Sequence, residues 1–183
     1  ECREIEYKQV LPGKSDGEKK EFLADVSSFA NASGGDLIFG IADEDGLPKA
    51  IPGLSGVGID LEKNRLEGII QTGLAPRVAG IQIIEVSSTT TGNPVIIVRI
   101  PKSWNSPHLV CFKGSSRFFT RNNSGKYQMD VTEIRSVFAL SEALPERIRR
   151  FRDERLARII AGDGPVPLPD GSKLIIHLIP ASS

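Results

Sequence analysis

Residues 22–41, FLADVSSFANASGGDLIFGI, turn a helix into a buried strand across two glycines, and this junction constrains the fold more than any other stretch. Phe22, Leu23, Val26, Phe29 and Ala30 recur at helical spacing, whereas 36–41 is a short apolar run of strand length. Gly34-Gly35 between them lets the backbone leave the helix and enter a central strand at once. Upstream, Ser15-Asp16-Gly17-Glu18 fits a capping box for the helix start. Residues 4–10 alternate, with Ile5 and Tyr7 on one face and Glu4, Glu6 and Lys8 on the other, so they read as a strand that Pro12-Gly13 ends. The chain therefore opens strand–helix–strand.

The remainder follows the same signals. An acidic turn, Asp43-Glu44-Asp45-Gly46, leads into a Gly/Pro-rich loop over 47–59. Asp60 caps a second helix whose apolar side is Leu61, Leu66, Ile69 and Ile70. Residues 78–88 and 94–101 form a hairpin, and 116–121 another strand ended by a turn at 122–125. Residues 132–144 are helical, and Pro145 opens a further helix through Ile160. The stretch 162–171 is a linker by composition, and 172–180 is an apolar strand. This order gives a mixed α+β domain over 1–140, a sheet flanked by helices. A helical arm follows over 141–162, then a linker and the start of a truncated C-terminal domain over 163–183. A chain that opens on Glu rather than Met reads as a piece of a longer protein, and its default location is cytoplasmic. No apolar run approaches the 18 or so residues of a membrane span.

Formal neutrality conceals a division of charge. Residues 1–60 hold 6 basic and 12 acidic side chains, whereas 94–183 hold 14 basic and 8 acidic. No acid occurs between Glu85 and Asp130. That window contains Arg99, Lys102, Lys113, Arg117, Arg121 and Lys126, interleaved with Trp104, Phe112, Phe118, Phe119 and Tyr127. Cations track phosphates and aromatic faces stack on bases, so the mixture suits single-stranded or looped RNA or DNA. Solvated cations outside strands with aromatic cores explain it equally well.

Other chemistry is sparse. Cys2 and Cys111 lack ligand-type spacing. His108 and His177 lie in apolar or proline-bounded stretches and read as packed or solvated. Gly13-Lys14-Ser15 stands between strand and helix like a phosphate loop, but Lys8 occupies the position of that motif's first glycine, so ATP binding through Lys14 and Ser15 is not favoured. If the first two strands are neighbours, Glu6 and Asp43 converge at one edge and can hold a hard cation, Mg2+ or Mn2+, with Glu1 as a third ligand.

Taken together, Glu1-x-x-x-x-Glu6-Tyr7-Lys8, Ser28-Phe29-Ala30-Asn31, Gly34-Gly35 before the strand, Asp43-x-x-Gly46, and Phe118-Phe119-Thr120-Arg121 with Ser124 resemble the Schlafen AlbA-type domain. The resemblance covers roughly residues 1–140 and implies an Alba/Schlafen-like fold. It also implies a nucleic-acid-binding domain, as in bacterial transcriptional regulators, although some members carry ATP-binding labels. Relatives with a Schlafen core cleave structured RNA through a Glu-x4-Glu pair and a later aspartate, which fall here on Glu1, Glu6 and Asp43. In that core two modules make one clamp, which for this single module implies a homodimer. In Asn31 and the two glycines the residues themselves suggest scaffold roles.

Overall fold

The computed structural model describes residues 4–88, 91–163, 174 and 176. Glu1, Cys2, His177 and most of the expected strand at 172–180 lie outside the described residues. The chain divides into two compact units, Glu1–Ile134 and Arg135–Ser183.

The first unit is built on strand β1 (Ile5–Lys8), helix α1 (Asp16–Asn31) and strand β2 (Gly34–Phe39). Ser15 caps α1 by accepting the Glu18 N–H at 3.3 Å, and Glu18 reaches back to the Gly13 N–H at 3.1 Å. The helix ends as expected, and the reason for the glycines is steric. Gly34 and Gly35 have φ of +80° and +152°. A Cβ on Gly35 would run into the Glu4 carbonyl oxygen and the Phe29 ring. No side chain fits where strand and helix approach this closely.

After β2, β3 (Ala42–Glu44) and β4 (Leu47–Ala50) form a small hairpin around Asp45-Gly46, both at positive φ. The expected loop over 47–59 is thus corrected at its start. Asp-Gly is the two-residue turn whose twist matches flanking strands. Helix α2 (Ile59–Gly73) starts one residue before the expected cap: Gly58 is its N-cap, and Asp60 sits in the first turn. Strands β5 (Leu74–Ala75), β6 (Gln82–Ser87), β7 (Pro94–Pro101), β8 (Leu109–Phe112), β9 (Ser115–Asn122) and β10 (Gly125–Gln128) follow. Helix α3 (Val131–Ile160) runs through Pro145 where two helices were expected. A proline ring removes one helical hydrogen bond and crowds the carbonyl four residues earlier, but Ala139, Leu140, Ala143 and Arg147 around it are strong helix formers.

The strands make two four-stranded sheets, in the orders β1-β2-β7-β6 and β10-β9-β8-β5. β1 pairs parallel with β2, and the remaining ladders are antiparallel, so the first sheet is mixed. Helix α1 packs on β2 and β7 of the first sheet and on β8, β9 and β10 of the second. It is buried continuously from Phe22 to Ala30. A helix covered on all sides needs small residues where elements approach, and Ala24, Ser27, Ser28 and Ala30 supply them. The core comprises Phe22, Leu23, Val26 and Phe29 of α1 with Leu37, Phe39, Ile96, Val98, Ile100 and Val110 from the sheets. The α+β class is as expected, with the helical segment following the sheets. Among the described residues no helix is long and apolar enough to cross a membrane.

Candidate functional site

Beside edge strand β1 lies a cleft of about 460 Å³. Its other walls come from α1 (Glu21, Asp25), the β3–β4 hairpin (Asp43, Gly46) and the β9–β10 hairpin (Arg121, Lys126). Arg121 and Lys126 are paired in register, so both side chains leave the same face of the second sheet. Arg121 is pressed over the Phe29 ring, 3.5 Å from its centroid, with only 5% of its side chain exposed. Its Nη2 donates to Glu6 Oε2 at 2.7 Å, while Nε and Nη1 have no protein partner. Glu6 and Lys8 are two apart on a strand and share a face, which brings Lys8 Nζ to 2.8 Å from Glu6 Oε1. Lys8 Nζ also stands 3.6 Å from Asp25 Oδ2. Lys126 Nζ donates to Asp25 Oδ1 at 2.6 Å and to the Glu21 carboxylate, one helical turn earlier on α1.

Burial and partners set the protonation of this cluster in opposite directions. Burial and the nearby Glu6 charge push Asp25 above the usual carboxylate range, against the pull of Lys126 and Lys8. Burial acts the same way on Glu6, but hydrogen bonds and charges from Lys8 and Arg121 outweigh it and hold Glu6 below its ordinary value. For Lys8, burial is outweighed by Asp25 and Glu6, and its affinity for the proton rises. The Asp25 shift has a consequence for stability. Between its ordinary and raised values only the folded state holds the proton, so stability falls as pH rises through that window. Asp25→Asn lacks this titration. Its stability is therefore expected to improve relative to the parent as pH rises above the ordinary carboxylate value of about 4, read as urea midpoints. A gap that stays constant with pH defeats this assignment.

The expected site residues separate into groups. Glu6, Asp43, Arg121 and Lys126 line the one cleft. Asp43 is exposed at its rim, and its Oδ2 accepts the Gly46 N–H at 3.1 Å. Arg99 makes a two-point pair with Asp36, at 2.9 and 3.0 Å, and lines a separate groove with Lys102. Lys113 occupies the β8–β9 turn at φ 46°, and Arg117 is exposed on β9. The six cations of the basic window therefore do not form one surface. Strand alternation sends them to different faces, and Phe112 and Phe119 pack against the core. At the start of α1, the Ser15 hydroxyl serves the cap, and the Glu18 carboxylate accepts the Gly13 N–H.

A divalent cation needs oxygen ligands with charge to spare. Both Glu6 oxygens already meet cations, one Asp43 oxygen serves its turn, and the described residues contain no group of three metal-ligating side chains. The described residues thus do not fit Mg2+ or Mn2+ as they stand.

Lys8, Glu21 and Asp25 belong to the cluster but escaped the sequence reading. Asp25 carried a usable signal. It stands three residues after Phe22 and four before Phe29, on the apolar side of its helix, where a charge must have partners. The FAN segment is scaffold as its residues suggest. Asn31 Nδ2 donates to the carbonyls of Phe119 and His108 at 2.8 and 3.1 Å, and its Oδ1 accepts the His108 N–H at 2.7 Å. His108 is fully buried, with Nδ1 2.7 Å from the Pro76 carbonyl. A carbonyl only accepts, so the proton sits on Nδ1. Burial lowers the imidazole's affinity for a second proton, the Pro76 bond notwithstanding.

The family model described as Schlafen, AlbA_2 matches residues 1–130, and the chain belongs to that family. Among solved structures, the DIP2311 protein from Corynebacterium diphtheriae is similar, at 20% identity and a TM-score of 0.47. That match covers 70% of this chain and 25% of the other, so the chain spans about a quarter of that protein's length. No curated protein matches the sequence.

Proposed function

We propose that this domain binds single-stranded or looped nucleic acid, with a backbone phosphate seated in the β1 cleft against Lys8, Arg121 and Lys126. One observation carries the reading: three cations, drawn from β1, β9 and β10, converge on a single cleft beside an edge strand. Arg121 is fixed by stacking on Phe29 and by its pair with Glu6, and it adds fixed positive charge to the cleft wall. Membership of the AlbA_2 family is consistent with nucleic-acid association.

Labelled RNA and DNA oligonucleotides test it by fluorescence anisotropy. Affinity is expected to fall steeply between about 50 and about 200 mM salt, and Lys126→Gln to weaken binding several-fold while lowering the salt slope by about 1. Binding that is absent, or indifferent to salt, overturns the proposal.

A second reading, cleavage of the bound strand, is favoured by Glu6 and Asp43 sharing the cleft. Because the described donors do not fit a divalent ion, no chemical step is assigned. Structured RNA incubated with Mn2+ decides it. Cleavage lost in Asp43→Ala supports this reading, and cleavage absent, or retained in that variant, removes it.

A further inference from the structure

The cleft that supplies three cations also supplies their counter-charges. Lys8, Arg121 and Lys126 face Glu6, Asp25 and Glu21, and Asp43 adds another carboxylate at the rim. With every cation paired, the cleft offers a polyanion no net attraction. For a phosphate to enter, one carboxylate has to withdraw.

The three are not equally free to do so. Glu6 is gripped by two cations, and its departure would leave Arg121, 5% exposed, without its carboxylate. Asp25 has only 3% of its side chain exposed and nowhere to turn. Glu21 differs on each count. Its side chain is 62% exposed, and its ion pair is with Lys126, which keeps Asp25 as a partner when Glu21 leaves. Moving Glu21 into water therefore strands no buried charge, and it frees one face of the Lys126 ammonium at the cleft wall.

We infer that Glu21 is an internal stand-in for the ligand's phosphate, holding the cleft shut on Lys126 and setting the affinity for nucleic acid. The inference rests on the nucleic-acid reading and goes beyond it by naming the group that opposes binding. It demands an effect opposite in sign to that of Lys126. Losing an acid from the cleft tightens binding, and losing its basic partner weakens it.

The test compares Glu21→Gln with Asp60→Asn, which removes one negative charge from the exposed start of α2, outside the cleft. Labelled single-stranded RNA and DNA are titrated at two salt concentrations, with thermal melts to confirm folding. Glu21→Gln is expected to tighten binding about tenfold and to steepen the salt slope by about 1, whereas Asp60→Asn changes affinity by less than about twofold. Tightening equal to that of Asp60→Asn reduces Glu21 to an ordinary surface charge, and weakening makes it a structural partner of Lys126. Either result overturns the inference while leaving parental binding, and so the proposed function, in place. Binding that appears only in Glu21→Gln upholds Glu21 as the group that closes the cleft but overturns the proposed function of the parent chain, and no binding in any form removes both.

Discussion

Arg121→Met is expected to cost about 2–4 kcal/mol of folding stability, read from urea midpoints. The guanidinium is 5% exposed, stacked on Phe29 and bonded to Glu6, so its loss removes a cation–π contact and a charge partner together. Methionine refills much of the space over the ring, so the larger part of the cost is Glu6, which keeps Lys8 alone. Glu6 is 24% exposed, and water softens the penalty relative to a fully buried pair. Two further results identify the cause. Glu6→Gln combined with Arg121→Met should be more stable than the two single changes added together, because the neutral amide needs no cation. The deficit of Arg121→Met should also narrow in acid. The Glu6 carboxyl is held below its ordinary value, so its contribution is present above the unfolded value and is lost as pH falls through the folded one. Strict additivity at all pH values would falsify the pairing argument.

The same pair shows what could be read from the residues alone. The first strand, the capped helix, the glycine junction and the hairpin expected over 78–101, whose first strand starts only at Gln82, were legible because each rests on local spacing and turn chemistry. The Asp45-Gly46 hairpin was equally local, and its signal was simply overridden by the Gly and Pro around it. Short strands such as β8 and β5 gain their pairing from sequence-distant partners, so periodicity within their own windows says little. The site behaves in the same way. Glu6 and Asp43 in one cleft follow from the parallel pairing of β1 with β2, which places the hairpin after β2 beside the first strand's end. The basic window is a different case. Counting charges suggested one surface, but strand alternation and register decide direction. They turn Arg121 inward onto Glu6 of β1 and Lys126 onto the α1 acids, while Arg99 leaves another sheet to meet Asp36. Net charge by segment says nothing about which side chains are already neutralised.

Asn31→Ala is expected to be the most damaging of the polar changes, at about 3–5 kcal/mol. Asn31 ends α1 and satisfies three backbone groups of the second sheet and the segment before it: the His108 N–H and the carbonyls of His108 and Phe119. His108 is completely buried, so water does not readily replace the amide there. Each polar group left unmet costs about 1–3 kcal/mol, more than a hydrogen bond contributes when both partners are solvated. Asn31→Asp separates this account from a simple packing loss. Aspartate matches asparagine in shape and still accepts the His108 N–H, but it turns an oxygen toward two carbonyl oxygens. At neutral pH it should therefore be at least as destabilising as alanine. Below about pH 4 a protonated carboxyl donates one hydrogen bond, and part of the loss returns. The sign follows from linkage: carbonyl neighbours raise this carboxyl's proton affinity in the folded state, so stability declines as pH rises through the window. Urea unfolding of both variants at acid and neutral pH measures the difference. If Asn31→Asp behaves like the parent protein at neutral pH, the amide's two donated bonds are not what joins α1 to the second sheet.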